Sequence, residues 1–384
     1  MKLVSTLIVR DEADIVGAQI AYHLNAGVDF VIAVDHESQD GTTDILEGFA
    51  RDGYLLRLPE SGPVLEDAWR TRMARLAATE YGADWVIPAD ADEFWLPRHC
   101  GLRETLAAVP ERYGVLGGLI CHFVPRPDDG RMFAERMTTR LAQSAPVNDP
   151  TSPMRSSLKA LFRADPDVTV LHASFWIKSE WLRPLPGWNL FDVLHFPCRS
   201  VAQWGRKTSR RGHADADKPL GQYVKGLEAV TGGWIDDLYQ SLVVDGDALA
   251  RGLADGVLVQ DVRIRGALRA LAFPGSESSA EEEPATAARK SSAGPASAAA
   301  AAAIRAAAED TALYDANLVR FLRNVDSAAA RADALERRSS GPVRLLKGLR
   351  RTLSSQLEAD SGSTGPWRSR SAAAVGGPGS SATS

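Results

Sequence analysis

The sequence predicts an α/β protein built on a mostly parallel, doubly wound sheet with helices on both faces. Two observations predict it. Up to residue 87, short apolar runs alternate with segments whose apolar residues recur every fourth position, in the order β-α-β-α-β-α-β. The polar clusters fall at the carboxyl ends of those runs, at 10–12, 35–40 and 90–93, where open sheets of this kind bind ligands.

Taken in order, Leu3–Val9 reads as a buried first strand, and Arg10, Asp11 and Glu12 follow it too soon for a secretory leader. Val16, Ile20 and Leu24 keep a four-residue period and share one helix face. Residues 30–34 form a second strand, ended by Asp35; Ile45, Leu46 and Phe49 mark a short helix, and residues 54–58 a third strand. Leu65, Trp69 and Met73 restore the helical period before a fourth strand at 85–87. Beyond it the pattern loosens. Strands are expected at 115–124, 158–163, 168–171 and 193–196, with a Pro- and Arg-rich excursion between 125 and 153. The expected domains are a catalytic domain over 1–240, a helical extension over 241–274, a Ser/Glu/Pro/Ala linker over 275–310, C-terminal helices over 311–358 and a disordered tail over 359–384.

A chain of 384 residues with 45% hydrophobic and 24% charged residues has material for a sizeable core. A formal net charge of -5 shows no basic excess, so nucleic acid is not an expected partner. No apolar run approaches the roughly 20 residues that span a bilayer. The three cysteines are odd in number and lack metal-type spacing, which reads as reduced thiols and a cytoplasmic setting.

Asp90 and Asp92, separated by Ala91 and placed after the fourth strand, point to the same side if the backbone stays extended. Paired carboxylates of this kind suit Mn²⁺ or Mg²⁺, hard cations that bridge to diphosphate oxygens. Asp35 ends the second strand, where its carboxylate can accept from a base N–H or a ribose hydroxyl. In the same cluster, Asp40-Gly41 favours a tight turn and Thr42 or Thr43 can cap the following helix. A second patch contains His195, Arg199, Ser200, Gln203 and Lys207. A neutral imidazole there can complete a metal shell. Ser200 and Gln203 have the spacing of a capping box, which starts a helix carrying Gln203, Lys207 and Arg211 on one face. His172, at another strand end, competes with His195 for the metal, while His23 and His122 read as structural. Glu93, Glu135 and Asp192 are the carboxylates considered for the base that deprotonates an acceptor.

These motifs resemble family 2 glycosyltransferases and their family-92-like branch. The resemblance runs through Val9-Arg10-Asp11-Glu12, Tyr22-His23 with Ala26-Gly27-Val28-Asp29, Asp35 with Ser38 and Asp40-Gly41-Thr42, and Asp84-Trp85-Val86 leading to Asp90, Asp92, Glu93 and Phe94. It covers about the first hundred residues and the patch near His195. The resemblance implies the GT-A fold and a UDP- or GDP-linked sugar donor, with a glycan or other hydroxyl as acceptor. It further implies nucleotide-sugar contacts by Arg10, Glu12, Asp35, Arg72, Asp90, Arg199 and Lys207, and metal ligation by Asp90, Asp92 and His195. Pro88-Ala89 before the first aspartate departs mildly from the family pattern.

Two other enzyme classes lack their devices. No G-x-G-x-x-G follows the first strand, as a dinucleotide dehydrogenase needs, and Arg10-Asp11-Glu12-Ala13-Asp14 lacks the glycine-rich basic loop of a nucleotidyltransferase. A non-catalytic nucleotide- or glycan-binding relative acting as an assembly module stays as the alternative. At the far end, Leu346, Leu349, Leu353 and Leu357 line one helical face beside Arg344, Lys347, Arg350 and Arg351. Such a basic amphipathic helix can lie on the inner membrane face or pack on protein, and the sequence leaves both open.

Overall fold

The computed structural model describes residues 1–142, 158–185, 190–214 and 221–274, the side chains of 210–214 and 221–224 excepted. The first strand, β1 (Leu3–Val9), is buried along nearly its whole length because both of its faces are covered, as in parallel sheets generally. There follow α1 (Val16–Asn25), β2 (Phe30–His36), α2 (Thr42–Arg51), β3 (Leu55–Glu60), α3 (Glu66–Thr79) and β4 (Trp85–Asp90). β1 lies between β2 and β4 and is parallel to both, and β3 extends the sheet parallel to β2. The winding therefore reverses between β1 and β4, a topological switch point. Ile20 of α1 and Leu46 of α2 pack with Leu7 and Ile87 on one face, while Trp69 and Met73 of α3 pack with Val4 and Ile32 on the other. The apolar periodicity of the sequence is this two-sided burial.

The second half supplies β5 (Glu93–Pro97), α4 (Leu102–Ala107), β6 (Val115–His122), α5 (Phe133–Arg136), β7 (Thr139–Leu141), β8 (Leu158–Arg163), β9 (Thr169–Leu171), β10 (Trp176–Lys178) and β11 (Phe191–His195). Then come α6 (Val201–Ala214), α7 (Gly221–Gly232), α8 (Ile235–Leu242), α9 (Gly246–Ala254), β12 (Leu258–Gln260) and α10 (Arg263–Ala270). The main sheet has the order β3-β2-β1-β4-β8-β6-β11-β5. Its parallel pairings outnumber the antiparallel ones, which join β8 to β4 and β6, and β5 to β11. The expected mostly parallel, doubly wound sheet is present, with antiparallel strands added beyond β4.

β5 follows β4 after a turn at Ala91-Asp92, yet it stands at the edge of the sheet, with β8, β6 and β11 between the two in the strand order. The sheet curls to allow this. Trp95 of β5 donates its indole N–H to the Pro88 carbonyl at 2.9 Å and its backbone N–H to His23 Nε2 at 3.2 Å. Phe94, wholly buried here, contributes about 2–3 kcal/mol through the apolar area it removes from water. Gly118 of β6 is the contact that lets the curl close, since a Cβ there would stand 2.5 Å from the Trp95 ring and 2.9 Å from Val193 Cγ2.

Residues 241–274, expected as an extension, belong to the same body. β12 pairs antiparallel with β7, and Ile264 and Leu268 of α10 enter the main core beside Phe133 and Ile20. Tertiary contacts that the irregular sequence pattern does not announce bring them there. The expected linker, C-terminal helices and tail lie outside the described residues. No described helix is long and apolar enough to cross a membrane.

Candidate functional site

Strand register sets the site. Ile8 stands opposite Asp90 and Val9 opposite Asp35, so the loops after β1, β2 and β4 leave the sheet at one level on its carboxyl edge. The first two loops are laced together. Asp11 Oδ1 accepts from the Gln39 N–H at 2.5 Å, the Asp11 N–H donates to Ser38 Oγ at 3.1 Å, and the Glu12 N–H donates to Thr42 Oγ1 at 2.9 Å. Asp40 Oδ1 accepts the Thr42 N–H at 3.2 Å, closing the turn that leads into α2, whose N-cap is Gly41. The threonines expected as caps tie loops instead, Thr42 to Glu12 and Thr43 to Asp35 Oδ2 at 2.6 Å. Gly41 permits this path with a φ of 93°, at no Cβ cost.

Asp35 is buried, and accepts from Thr43, from the Ser38 N–H at 3.3 Å and from Arg57 at 3.3 Å. It organises the loop before it can serve a nucleoside. Beside it, Arg10 Nη1 lies 3.3 Å from His36 Nδ1. His36 Nε2 sits 2.9 Å from the Gly62 carbonyl, which fixes its proton on Nε2 and leaves Nδ1 to accept from Arg10.

At the acidic motif, two arginines, two lysines and a histidine converge from distant parts of the chain. Asp90 Oδ1 meets Arg70 Nη2 at 2.5 Å, and Asp90 Oδ2 meets Lys159 Nζ at 3.0 Å. Asp92 Oδ2 meets Lys207 Nζ at 2.5 Å, His195 Nε2 at 3.4 Å and Arg199 Nη1 at 3.9 Å. Burial alone would raise both carboxyls. Arg70 and Lys159 hold Asp90, and Lys207 with His195 and Arg199 holds Asp92, well below the usual carboxylate range. The motif is therefore fully charged at neutral pH.

Glu93, a candidate base, has a structural task. Its Oε2 accepts from the Asp90 N–H at 2.8 Å and from Lys159, closing the turn, and burial outweighs the ammonium and raises its carboxyl. Glu12 and Arg199, both expected at the nucleotide, hold each other. The Arg199 guanidinium also binds Asp14 through Nε at 2.6 Å and the Phe196 carbonyl through Nη1 at 2.9 Å. Burial outweighs Arg199 and raises the Glu12 carboxyl. The buried Arg199 works as a strut from the β1 loop to α6. That helix starts as its spacing predicts: Ser200 Oγ accepts the Gln203 N–H at 3.1 Å, and Gln203 Oε1 accepts the Arg199 N–H at 3.1 Å.

Three expected residues stand elsewhere. Asp192 is buried between Arg98 Nε at 2.8 Å and Arg263 Nη1 at 2.8 Å, and alternation along β11 turns it to the face opposite His195. Glu135 is gripped by two nitrogens of Arg269. Arg72 pairs with Glu60 at the end of β3, and Arg70 takes its place at the motif. The signal was present, because Arg70 lies three, four and seven residues before buried Met73, Ala74 and Ala77. Lys159 left no such signal, since a lysine in a short strand ordinarily faces water. His195, not His172, is the imidazole at Asp92.

The donors at the motif limit what cation it can hold. Among the described residues, no three His, Cys, Asp or Glu side chains converge to hold a metal ion. Asp90 is committed to Arg70, whose Nε and Nη1 already lack partners among the described residues, and to Lys159. Asp92 and His195 remain as a donor pair. His195 Nδ1 lies 2.9 Å from His122 Nδ1, so with a cation in place of the Nε2 proton that faces Asp92, an Nδ1–H on His195 could donate to His122. That is the outer-shell arrangement of a ligating histidine. The pair fits a Mn²⁺ or Mg²⁺ ion whose other positions come from diphosphate and water, and does not fit one held by protein alone.

No protein-family model matches the chain, and no curated protein does. Among solved structures, S. aureus TarS 1-349 is 13% identical with a TM-score of 0.30, over 67% of this chain and 80% of that one. The same protein in complex with UDP gives 12% and 0.30, over 62% and 72%. HddC from Yersinia pseudotuberculosis gives 11% and 0.24, over 51% and 90%. These likenesses are too slight to assign a family or a function.

Proposed function

We propose that this chain is a glycosyltransferase, moving a sugar from a UDP- or GDP-linked donor to a hydroxyl of a glycan or similar acceptor, with inversion. Synthesis of a glycan or cell-surface polysaccharide is the setting this activity suits. One observation supports the reading above others: Asp90 and Asp92 stand on the carboxyl edge beside the β1/β4 switch point, ringed by Arg70, Lys159, Arg199, Lys207 and His195. Charges of both signs at such an edge suit a diphosphate and its counter-cation.

The residues divide the work. Lys207, with a side chain 16% exposed against 0–1% for Arg70, Lys159 and Arg199, is the cation placed to touch the diphosphate. The other three keep the two aspartates charged and oriented. Asp92 and His195 would hold Mn²⁺ or Mg²⁺, which when bound neutralises charge on the departing diphosphate. Arg10, just after β1, and Asp35, near the end of β2, would serve the nucleoside. Because fixed dipoles and charges do not reorganise during bond breaking, such a preset cluster stabilises the developing negative charge.

Thermal unfolding with UDP or GDP and Mn²⁺ tests the site. A nucleotide at a hundred times its Kd stabilises the native state by about 2.7 kcal/mol. Asp92→Asn is expected to remove that stabilisation, and an unchanged response in the variant would refute the site. Protein partners on Glu93, Asp192 and Glu135 favour a second reading, a nucleotide- or glycan-binding module without turnover. Binding with no release of nucleoside diphosphate from any donor would establish it.

A further inference from the structure

We infer that Lys207 is a displaceable latch on Asp92: its ammonium holds the carboxylate in the absence of nucleotide and yields it to a divalent cation when a diphosphate arrives. The second half rests on the diphosphate reading above, whereas the first concerns the protein alone.

Lys207, His195 and Arg199 all approach the same atom, Asp92 Oδ2, at 2.5, 3.4 and 3.9 Å. Two of the three are fixed. Arg199 is wholly buried and bound to Glu12, Asp14 and the Phe196 carbonyl. His195 ends β11, whose backbone pairs with β5 and β6, and its ring abuts His122. Lys207 alone reaches Asp92 on a flexible four-carbon stem, from a helix fixed at its start by Ser200 and Gln203. Nearly buried Asp92 needs a cation at all times, and the ammonium supplies one that is covalently tethered.

An ammonium on Oδ2 opposes a hard cation twice over. It takes the lone pair that the ion would use, and it adds a positive charge a few ångströms away. The nucleotide-free protein should therefore bind Mn²⁺ weakly. A diphosphate changes the balance by offering the ammonium new acceptor oxygens and the ion new ligands. Lys207 then serves one anion before binding and another after it.

Mn²⁺ binding to the full chain, followed by the loss of the aqueous Mn²⁺ paramagnetic signal, tests the latch with no substrate present. Lys207→Met and Lys207→Gln are expected to bind Mn²⁺ at least about tenfold more tightly than the native protein, because a neighbouring unit charge is gone. Lys207→Arg should stay as weak as the native protein, and adding Asp92→Asn to Lys207→Met should cancel the gain. Thermal unfolding checks that each variant is folded, and Lys207→Gln decides the matter if Lys207→Met is not. Equal Mn²⁺ affinity in native protein and both neutral variants would overturn the latch. With saturating UDP or GDP, Mn²⁺ affinity should rise more in the native protein than in Lys207→Gln; equal rises overturn the exchange. If neither nucleotide binds, the donor reading falls, while the nucleotide-free comparison still decides whether Lys207 guards Asp92.

Discussion

His23 shows how far one buried side chain reaches. Its Nδ1–H donates to the Gln19 carbonyl at 2.8 Å and its Nε2 accepts the Trp95 N–H at 3.2 Å, so only the neutral ring satisfies both partners. Burial lowers its pKa to about 4 from an ordinary 6.5. Because the folded value lies below the unfolded one, the contribution is fully present above about pH 6.5 and is lost as pH falls toward 4, a change of about 3 kcal/mol. Denaturant unfolding across that window should show a shallower pH slope in His23→Gln; equal slopes would contradict this account. Lys159 carries a second expectation at this scale. Its ammonium is the buried partner of both Asp90 and Glu93, so Lys159→Met should cost about 3–5 kcal/mol in unfolding measurements, unless a retained native midpoint shows the carboxylates finding other partners. Sequence alone pointed to Asp90 and Asp92 and to the patch of His195, Arg199 and Lys207 that meets Asp92, but not to Arg70 and Lys159, which hold Asp90. An acidic pair after a strand is visible as a pattern, whereas the lysine that neutralises it lies 69 residues away, on a strand whose neighbours only the fold decides.

At the scale of elements, β1 to β4 and the helices between them were legible because two-sided burial writes a periodicity into the sequence. After β4 the strands at 115–122, 158–163, 169–171 and 191–195 were legible as segments but their pairing was not, since β8 runs antiparallel between β4 and β6 and β5 crosses to the far edge, neither of which any local pattern encodes. His195 reaches Asp92 only through this curl: β11 pairs with β5, placing His195 opposite Glu93. Helix α6 was legible at its start, through Ser200 and Gln203, yet the strut that joins it to the β1 loop was read as a ligand contact. The curl itself depends on the absent side chain at Gly118. Gly118→Ala would drive a methyl against the rigid Trp95 indole, and the expected cost is about 1–3 kcal/mol in thermal or denaturant unfolding. A variant as stable as the native protein would show that β6 and β5 can separate at little cost.

For the whole molecule, the described body closes with α10 packed into the main core, so residues 241–274 are integral to it. The basic segment at 341–357 lies outside that description and keeps its sequence expectation. Deleting residues 339–384 decides between its two readings: loss of flotation with anionic vesicles supports membrane contact, and unchanged flotation removes it from the account. The larger claim is that three loops on one carboxyl edge, joined by α6 and β11, form a nucleotide-sugar site. The motif Asp90 and Asp92 carries different duties within it: Asp90 is anchored by Arg70 and Lys159, and Asp92 faces His195 and Lys207. Release of nucleoside diphosphate from a panel of UDP- and GDP-sugars with Mn²⁺, comparing the native protein with Asp92→Asn, tests that claim most directly. The account predicts release from at least one donor and its loss in the variant. A full rate in Asp92→Asn, or no release from any donor, would contradict it.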